Sequence, residues 1–163
     1  MSAWPAPGAA EPAQLQAMTE RWLDEVSMIE RQAYTHPWSR GNFSDSLRAG
    51  YHAQVLIEDQ QLVGYLVLML APEEAHLLNI TIAPQRQGQG LGLHLLQQVV
   101  DWSRLQGARL LWLEVRVSNT RARHIYERYG FKAVGVRRNY YPLAPFKRED
   151  AVVMSLALRP EAL

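Results

Sequence analysis

The sequence, 163 residues long, contains no cysteine. This absence excludes disulfide bonds, thiolate metal sites and any reaction that passes through a cysteine acyl-enzyme. Long apolar runs are absent too, since residues 62–71, among the longest, fall well short of the ~20 residues that a membrane-spanning helix needs. We therefore expect a cytoplasmic protein with no membrane attachment and no metal.

The beginning of the chain differs in composition from the rest. Residues 1–12 are rich in alanine, proline and glycine, and they lack the positive charge that precedes the apolar core of a secretion signal. Residues 1–16 are therefore predicted to be a flexible leader. Residues 17–160 are predicted to form a single domain, because 48% of the chain is hydrophobic and a core of this size needs no disulfide. We expect this domain to be a monomer.

Charge is distributed unevenly, although the net charge is only +1. Residues 1–81 carry 4 basic and 10 acidic side chains, whereas residues 82–163 carry 13 basic and 6 acidic ones. One end of the molecule is therefore expected to favour anions and the other cations. A duplex-binding protein would instead present one continuous basic surface, so no specific nucleic-acid partner is expected.

The spacing of apolar residues predicts ten secondary-structure elements. They are helices at 19–34, 39–47, 93–104 and 119–129, and strands at 53–57, 62–70, 75–82, 110–117, 131–138 and 151–158. Thr19 and Ser39 are placed to cap the first two helices, and residues 58–61 and 72–74 are placed to connect hairpins. This order indicates the α/β class, with a single mixed, mostly antiparallel sheet and helices on both faces.

Three alternating glycines, Gly88, Gly90 and Gly92, join the third strand to the long helix. Glycine at every second position lets the backbone fold tightly, so that several N–H groups converge where the helix begins and its dipole is positive. Such a turn is typical of a binding site for a phosphate or a pyrophosphate.

Two common phosphate-binding motifs fit this segment poorly. A P-loop ends in Gly-Lys-Ser/Thr, and Leu91-Gly92-Leu93 supplies neither the lysine nor the hydroxyl. A dinucleotide-binding fold stays open as a rival, because Glu114 follows the glycines at about the distance of its ribose-binding acid. Its glycines, however, run G-x-G-x-x-G rather than G-x-G-x-G, and Glu114 lies inside its predicted strand instead of at the end.

The pattern Gln87-x-x-Gly90-x-Gly92 after a strand resembles the acyl-CoA pyrophosphate loop of the GCN5-related N-acetyltransferase (GNAT) superfamily. Within that superfamily the chain is similar to the bacterial ribosomal-protein-alanine N-acetyltransferase family over most of residues 36–158. The motifs that carry this likeness are Pro37-Trp38-Ser39, residues 111–116, Ser118-Asn119, Ile125-Tyr126-Glu127, Gly130-Phe131, residues 137–142 and residues 148–151. The resemblance implies the acyl-CoA N-acyltransferase fold.

The resemblance also implies acetyl-CoA as the acetyl donor. Backbone groups of Ile80, Thr81 and Ile82 would pair with its pantetheine arm like an added strand. The residues implied to hold its pyrophosphate are Gly88, Gln89, Gly90, Leu91, Gly92 and Leu93. Asn119 would contact the donor from the next helix, although it equally suits the N-cap of that helix. Basic side chains near these positions in the sequence, which suit the donor's phosphates, are Arg86, Arg121, Arg123 and Arg128.

Two catalytic residues follow from the same resemblance. Glu114 would be the general base that takes a proton from the substrate ammonium, directly or through water. Tyr126 would be the acid that protonates the departing CoA thiolate. On the residues alone, Glu114 better suits a solvated strand acid paired with Arg116, and Tyr126 suits simple core packing.

Transfer without a cysteine is expected to proceed by direct attack of the amine on the thioester in a ternary complex. At pH 7, deprotonating an α-amine costs roughly 1.4 kcal/mol and a lysine roughly 4.6 kcal/mol, which favours a protein N-terminus as the acceptor. The resemblance implies the N-terminal alanine of small-subunit ribosomal protein eighteen as the target. Trp38, Tyr140 and Tyr141 would wall the peptide groove, although they equally suit edge packing of a late hairpin.

Two alternative functions stay open on the sequence alone. The first is a GNAT enzyme that acetylates a small-molecule amine by the same mechanism. The second is a non-catalytic ribosome-assembly or RNA-contacting module, which the interleaved basic and aromatic residues 137–141 support.

Overall fold

A computed structural model describes residues 12–159 of the chain. Its strands are β1 (Gln14–Ala17), β2 (His52–Glu58), β3 (Gln61–Ala71), β4 (Glu74–Ile82), β5 (Leu110–Arg116), β6 (Lys132–Ala144) and β7 (Lys147–Ala157). Its α-helices are α1 (Leu23–Ala33), α2 (Arg40–Arg48), α3 (Leu91–Leu105) and α4 (Thr120–Tyr129). The strands form one sheet in the order β1-β2-β3-β4-β5-β7-β6.

The sheet is mixed and mostly antiparallel, as predicted, because only β4 and β5 run parallel among its neighbouring strands. Alternation along β3 divides the apolar residues between its two faces. Leu66 and Leu68 join the core cluster under α3 and α4, whereas Tyr65 and Val67 join the cluster under α1 and α2. The predicted fold class, with helices on both faces, is confirmed.

The two predicted helix caps have different outcomes. Ser39 caps α2, since its hydroxyl accepts from the Asn42 N–H and the Asn42 side chain accepts from the Ser39 N–H. The prediction for Thr19 is wrong, because its side chain makes no capping hydrogen bond. A 3-10 turn at Glu20–Trp22 separates Thr19 from the start of α1, so its hydroxyl lies too far back to reach the helix.

The structure is more extensive than predicted at two places. Gln14–Ala17, the last part of the predicted leader and the residue after it, forms β1 and pairs with β2, while residues 1–11 lie outside the described range. The β6 and β7 strands run to Ala144 and from Lys147, past the predicted limits at 138 and 151. β6 is an edge strand that is exposed along almost its whole length, and its part beyond residue 138 lacks the apolar alternation from which strands are predicted.

The sheet opens between β4 and β5. Their pairing stops at His76 and Trp112, although β4 continues to Ile82 and β5 to Arg116. A register shift in β4 coincides with this point, because Leu77 and Asn79 face consecutive residues of β3 and leave Leu78 as the extra residue. Such a bulge bends its strand and ends pairing. The edge of β4 beyond His76 is therefore turned away from β5.

We expect Gly64→Ala to destabilise the strands that border this opening. A Cβ on Gly64 would lie 2.8 Å from the Thr81 carbonyl oxygen and 2.8 Å from a methyl carbon of Ile82. The overpacking should lower the free energy of unfolding by ~2 kcal/mol, measured by urea denaturation. Gly135→Ala on β6 is the matched control, since a Cβ there meets nothing within 4 Å and should change stability by less than ~0.5 kcal/mol. Equal effects of the two substitutions would contradict this account of the packing.

Candidate active site

A cleft of about 710 Å³ extends from the β4 edge to the beginning of α3 and to α4. This volume lies in the usual range for small-molecule sites. The residues that line it are Tyr34, Ile80, Thr81, Ile82, Gln87, Gly88, Gly90, Gly92, Leu93, Asn119, Arg121, Ala122, Ile125, Arg128 and Tyr129. The cleft therefore brings the glycine turn, the β4 edge and α4 to one place.

The glycine turn carries the backbone geometry of an anion site. Gly88 and Gly90 have φ angles of 78° and 83°, a conformation that glycine adopts without steric cost. The first turn of α3 closes with a hydrogen bond from His94 N to Gly90 O, 3.1 Å long. The preceding N–H groups at the helix start have no acceptor within the helix, and they lie at the positive end of its dipole. Arg121 and Arg128 add positive charge to the same cleft.

The β4 edge forms the opposite wall. Ile80, Thr81 and Ile82 line the cleft beyond the last β4–β5 pair. Side chains hold this segment in place, since Tyr34 Oη lies 2.7 Å from Thr81 Oγ1 and Gln87 Nε2 donates to Ile82 O at 3.2 Å. An extended ligand with amide groups would find a strand edge here to pair with.

Most of the residues predicted to contact the donor line this cleft. Gln89 and Leu91 are the two that do not: Gln89 accepts a hydrogen bond from Arg86, and Leu91 packs against the core. Asn119 is placed for both of its predicted roles, donor contact and helix capping, since it lines the cleft and its Oδ1 accepts from Ala122 N at the start of α4. The other residues predicted for the donor, all in the lining, are Ile80, Thr81, Ile82, Gly88, Gly90, Gly92 and Leu93.

Glu114 lies on β5 just beyond the point where the sheet opens, and its side chain is only 7% exposed. One carboxylate oxygen is 2.6 Å from His76 Nε2, and the other is 3.3 Å from Arg137 Nε. Arg116 pairs instead with Glu149 at 2.8 Å. The alternative interpretation of Glu114 as a solvated acid paired with Arg116 is therefore wrong.

His76 supports Glu114 from the neighbouring strand. Its ring stacks on Trp112 with centroids 3.6 Å apart and an interplanar angle of 11°. Its Nδ1 atom is buried without a hydrogen-bond partner in the described part of the chain. A hydrogen there would be a buried donor with no acceptor, so the ring hydrogen belongs on Nε2, where it is donated to Glu114.

Tyr126 on α4 packs against the main core, with its ring 5.5 Å from that of Phe131. Burial raises the pKa of Tyr126 above its usual value, and the nearby phenols of Tyr34 and Tyr141 raise it further. Tyr126 is not among the residues that line the cleft, and its assignment as the acid stays a prediction.

The residues predicted to wall a peptide groove lie outside the cleft lining. Trp38 is between α1 and α2, where its ring contacts Phe43 with centroids 5.1 Å apart and its backbone N–H donates to the Glu30 carboxylate. Tyr140 and Tyr141 are on β6 and contact each other edge to face at 4.8 Å. Burial raises the pKa of both tyrosines, and the nearby charge of Glu114 raises it further.

The predicted cluster of basic side chains divides in two. Arg121 and Arg128 line the cleft, but Arg86 forms an ion pair with Glu58 at 2.6 Å and Arg123 donates to Val117 O. The residues that sequence reasoning missed are Tyr34, Gln87, Ala122, Ile125 and Tyr129 in the cleft, and His76 and Arg137 on Glu114. Two of these residues had a signal in the sequence: Gln87 belongs to the glycine motif, and Arg137 belongs to the basic and aromatic run 137–141.

Comparison with known proteins decides the family. The model of the Acetyltransferase (GNAT) family matches residues 17–131. The chain belongs to the GNAT family. As a member, it is an acetyl-CoA-dependent N-acetyltransferase, and the resemblance inferred from its motifs is confirmed.

Several relatives of this GNAT chain carry more specific names. The chain is 42% identical over 136 residues to the ribosomal protein bS18-alanine N-acetyltransferase of Haemophilus influenzae, and the match covers 83% of this chain and 92% of that protein. It is similar to the crystal structure of the ribosomal-protein-S18-alanine N-acetyltransferase from Escherichia coli, with a TM-score of 0.83, 34% identity, and 93% and 99% of the two chains covered.

A more distant likeness concerns the fold alone. Arabidopsis thaliana Naa50, solved in complex with a bisubstrate analogue, matches with a TM-score of 0.76 and 19% identity, over 89% of this chain and 98% of that one.

Within residues 12–159 of the GNAT chain, no helix is long and apolar enough to cross a membrane.

Proposed function

We propose that the chain transfers the acetyl group of acetyl-CoA to the α-amine of a protein N-terminus, namely the N-terminal alanine of the bS18-type ribosomal protein. The observation that carries this proposal is the opening of the sheet beyond the His76–Trp112 pair. This opening has an unpaired strand edge on one side and the buried carboxylate of Glu114 on the other.

The donor fits the chemistry of the cleft. The glycine turn offers N–H groups at the positive end of α3, and Arg121 and Arg128 offer charge for phosphate groups. The edge of β4 from Ile80 to Ile82 offers backbone groups to the amides of the pantetheine arm. Acetyl-CoA supplies an activated thioester when it is bound.

Glu114 acts as the general base in this proposal. His76 and Arg137 each contact one carboxylate oxygen, which leaves further lone pairs for the proton of the substrate ammonium, directly or through one water. The amine then attacks the thioester carbonyl directly, since the chain has no cysteine to form an acyl-enzyme. Tyr126 donates its phenolic proton to the departing thiolate.

The acceptor is proposed from three supports. The names of relatives at 34–42% identity specify the alanine of bS18. A single carboxylate base suits an α-amine, which is easier to deprotonate than a lysine by about 3 kcal/mol at pH 7. The groove for the peptide is proposed to be walled by two aromatic side chains near Glu114, which are Tyr140 and Tyr141, and by Trp38 at the α1–α2 connection.

Release of CoA in the presence of different amines tests the acceptor. We expect kcat/KM for a peptide that begins with the bS18 alanine to exceed that for spermidine by at least about a hundredfold. The matched control is the same peptide with a blocked α-amine and an internal lysine, which should give a rate close to background. Faster turnover of spermidine would instead favour a small-molecule acetyltransferase, and binding of RNA without any turnover would favour a ribosome-assembly module.

A further inference from the structure

A buried carboxylate on α1 has no part in the mechanism above. Glu30 is 2% exposed and accepts three hydrogen bonds, all from uncharged groups. Tyr65 Oη and Asn79 Nδ2 donate to its Oε1 at 2.6 and 3.1 Å, and Trp38 N donates to its Oε2 at 2.9 Å. Burial of a carboxylate is costly unless it is satisfied in this way. Such a group fixes the orientation of every side chain that donates to it.

This fixed orientation continues toward the cleft through β4. Because the Asn79 NH2 group faces the Glu30 carboxylate, its Oδ1 faces Thr81, which donates its hydroxyl hydrogen there at 2.7 Å. Thr81 Oγ1 then has only lone pairs to offer to Tyr34, 2.7 Å away. Tyr34 is therefore the donor in that contact, and its hydrogen points inward to Thr81 and the Ile80 carbonyl.

Tyr34 is the end of this hydrogen-bond chain, and it lines the cleft. Burial, together with the charge of Glu30, raises the pKa of Tyr34 to about 12, and the hydroxyl stays protonated. With its hydrogen committed inward, the oxygen has lone pairs left for a ligand. A bound ligand therefore meets Tyr34 as an acceptor.

We propose that Glu30 is a positioning residue that sets the direction of the chain Tyr34–Thr81–Asn79–Glu30, so that the Tyr34 hydroxyl accepts a hydrogen bond from an N–H group in the bound complex. This inference rests on the proposed function, in which both the amine substrate and the amides of acetyl-CoA bring such N–H groups to the cleft.

Glu30→Gln keeps the shape of the side chain but replaces one accepting oxygen by a donating NH2 group. In either orientation the Gln side chain places its NH2 group against a donor, either Trp38 N or the pair formed by Asn79 Nδ2 and Tyr65 Oη. When the NH2 group faces Asn79, the Asn79 amide turns over so that its oxygen accepts from the Gln side chain and its NH2 group donates to Thr81. Thr81 then donates to Tyr34, and the Tyr34 hydrogen turns toward the ligand. Tyr34→Phe removes the accepting oxygen itself.

A double-mutant cycle in kcat/KM tests the coupling. We expect Tyr34→Phe to lower kcat/KM about tenfold and Glu30→Gln about fivefold, with the double variant close to the larger single effect rather than about fiftyfold down. A rise in KM for the peptide assigns the N–H to the amine substrate, whereas a rise in KM for acetyl-CoA assigns it to the donor. Ser46→Ala is the control, because Ser46 is a buried residue of α2 whose hydroxyl donates to the Asn42 carbonyl outside the chain, and it should keep kcat/KM within about twofold.

Thr81→Val provides a second test if Glu30→Gln fails to fold, since it breaks the chain without touching Glu30. It too should be non-additive with Tyr34→Phe. Additive effects, an unchanged kcat/KM for Tyr34→Phe, or a Ser46→Ala loss as large as that of Glu30→Gln would overturn the inference while leaving the proposed function intact. A wild-type protein that binds acetyl-CoA but acetylates no amine would overturn both.

Discussion

Replacement of Glu114 by glutamine is expected to slow acetyl transfer at least about a hundredfold and to leave acetyl-CoA binding within about twofold of the wild type. Glutamine preserves the size of the side chain, and its oxygen can still accept a hydrogen bond from His76 or Arg137, but it cannot take a proton from the amine. Initial rates of CoA release measure the first effect, and titration calorimetry measures the second.

Glu149→Gln is the matched control for this substitution. Glu149 is a carboxylate of similar burial on the adjacent strand β7, and its charge is paired with that of Arg116 at 2.8 Å. Hydrogen bonds from Arg116 and Ser118 hold the pKa of Glu149 below its usual value, so the substitution should reduce stability near neutral pH but keep turnover within about threefold. Retention of more than a tenth of the wild-type rate by Glu114→Gln would contradict the assignment of the base.

Gly90→Val should weaken acetyl-CoA binding at least about tenfold. The φ angle of Gly90 is 83°, a conformation that a β-branched residue adopts only at a cost of roughly 1–3 kcal/mol. The turn is expected to relax to a conformation that valine tolerates, which moves the N–H groups at the start of α3 away from the phosphates. Calorimetric titration with acetyl-CoA gives the change in Kd.

Gly107→Val separates this effect from general instability. Gly107 follows the other end of α3 with a φ of 84°, and a Cβ added to either glycine would meet no atom within 4 Å. Both variants should therefore lose similar stability in thermal unfolding. Only Gly90 of the two lines the cleft, so an equal loss of acetyl-CoA affinity in the two variants would contradict the role of the turn.

The parts of the site that could be predicted from sequence are those whose requirements are local. Left-handed turns need glycine, so the conformations of Gly88 and Gly90 leave a direct trace in the sequence. Ser39 and Asn119 likewise cap helices that begin one residue later. Strand-like apolar runs predicted β2 to β5 closely, because each of these strands has buried residues on at least one face.

The rest depends on contacts between residues far apart in the chain. The approach of His76 to Glu114 requires the parallel pairing of β4 with β5, which no single segment specifies. The link from Glu30 to Tyr34 requires α1 to cross β3 and β4 at one register. The short β1 and the parts of β6 and β7 beyond their predicted limits lack an apolar pattern, so nothing local distinguishes them from loop.

The most direct test of the account is the mass of a bS18 N-terminal peptide after incubation with the wild-type protein and acetyl-CoA, with fragmentation to locate the acetyl group. We expect a single acetyl group on the α-amine of the first alanine, and none when Glu114→Gln replaces the wild type under the same conditions. An unmodified peptide, or an acetyl group found only on lysine, would contradict the proposal that this cleft serves the amine of a protein N-terminus.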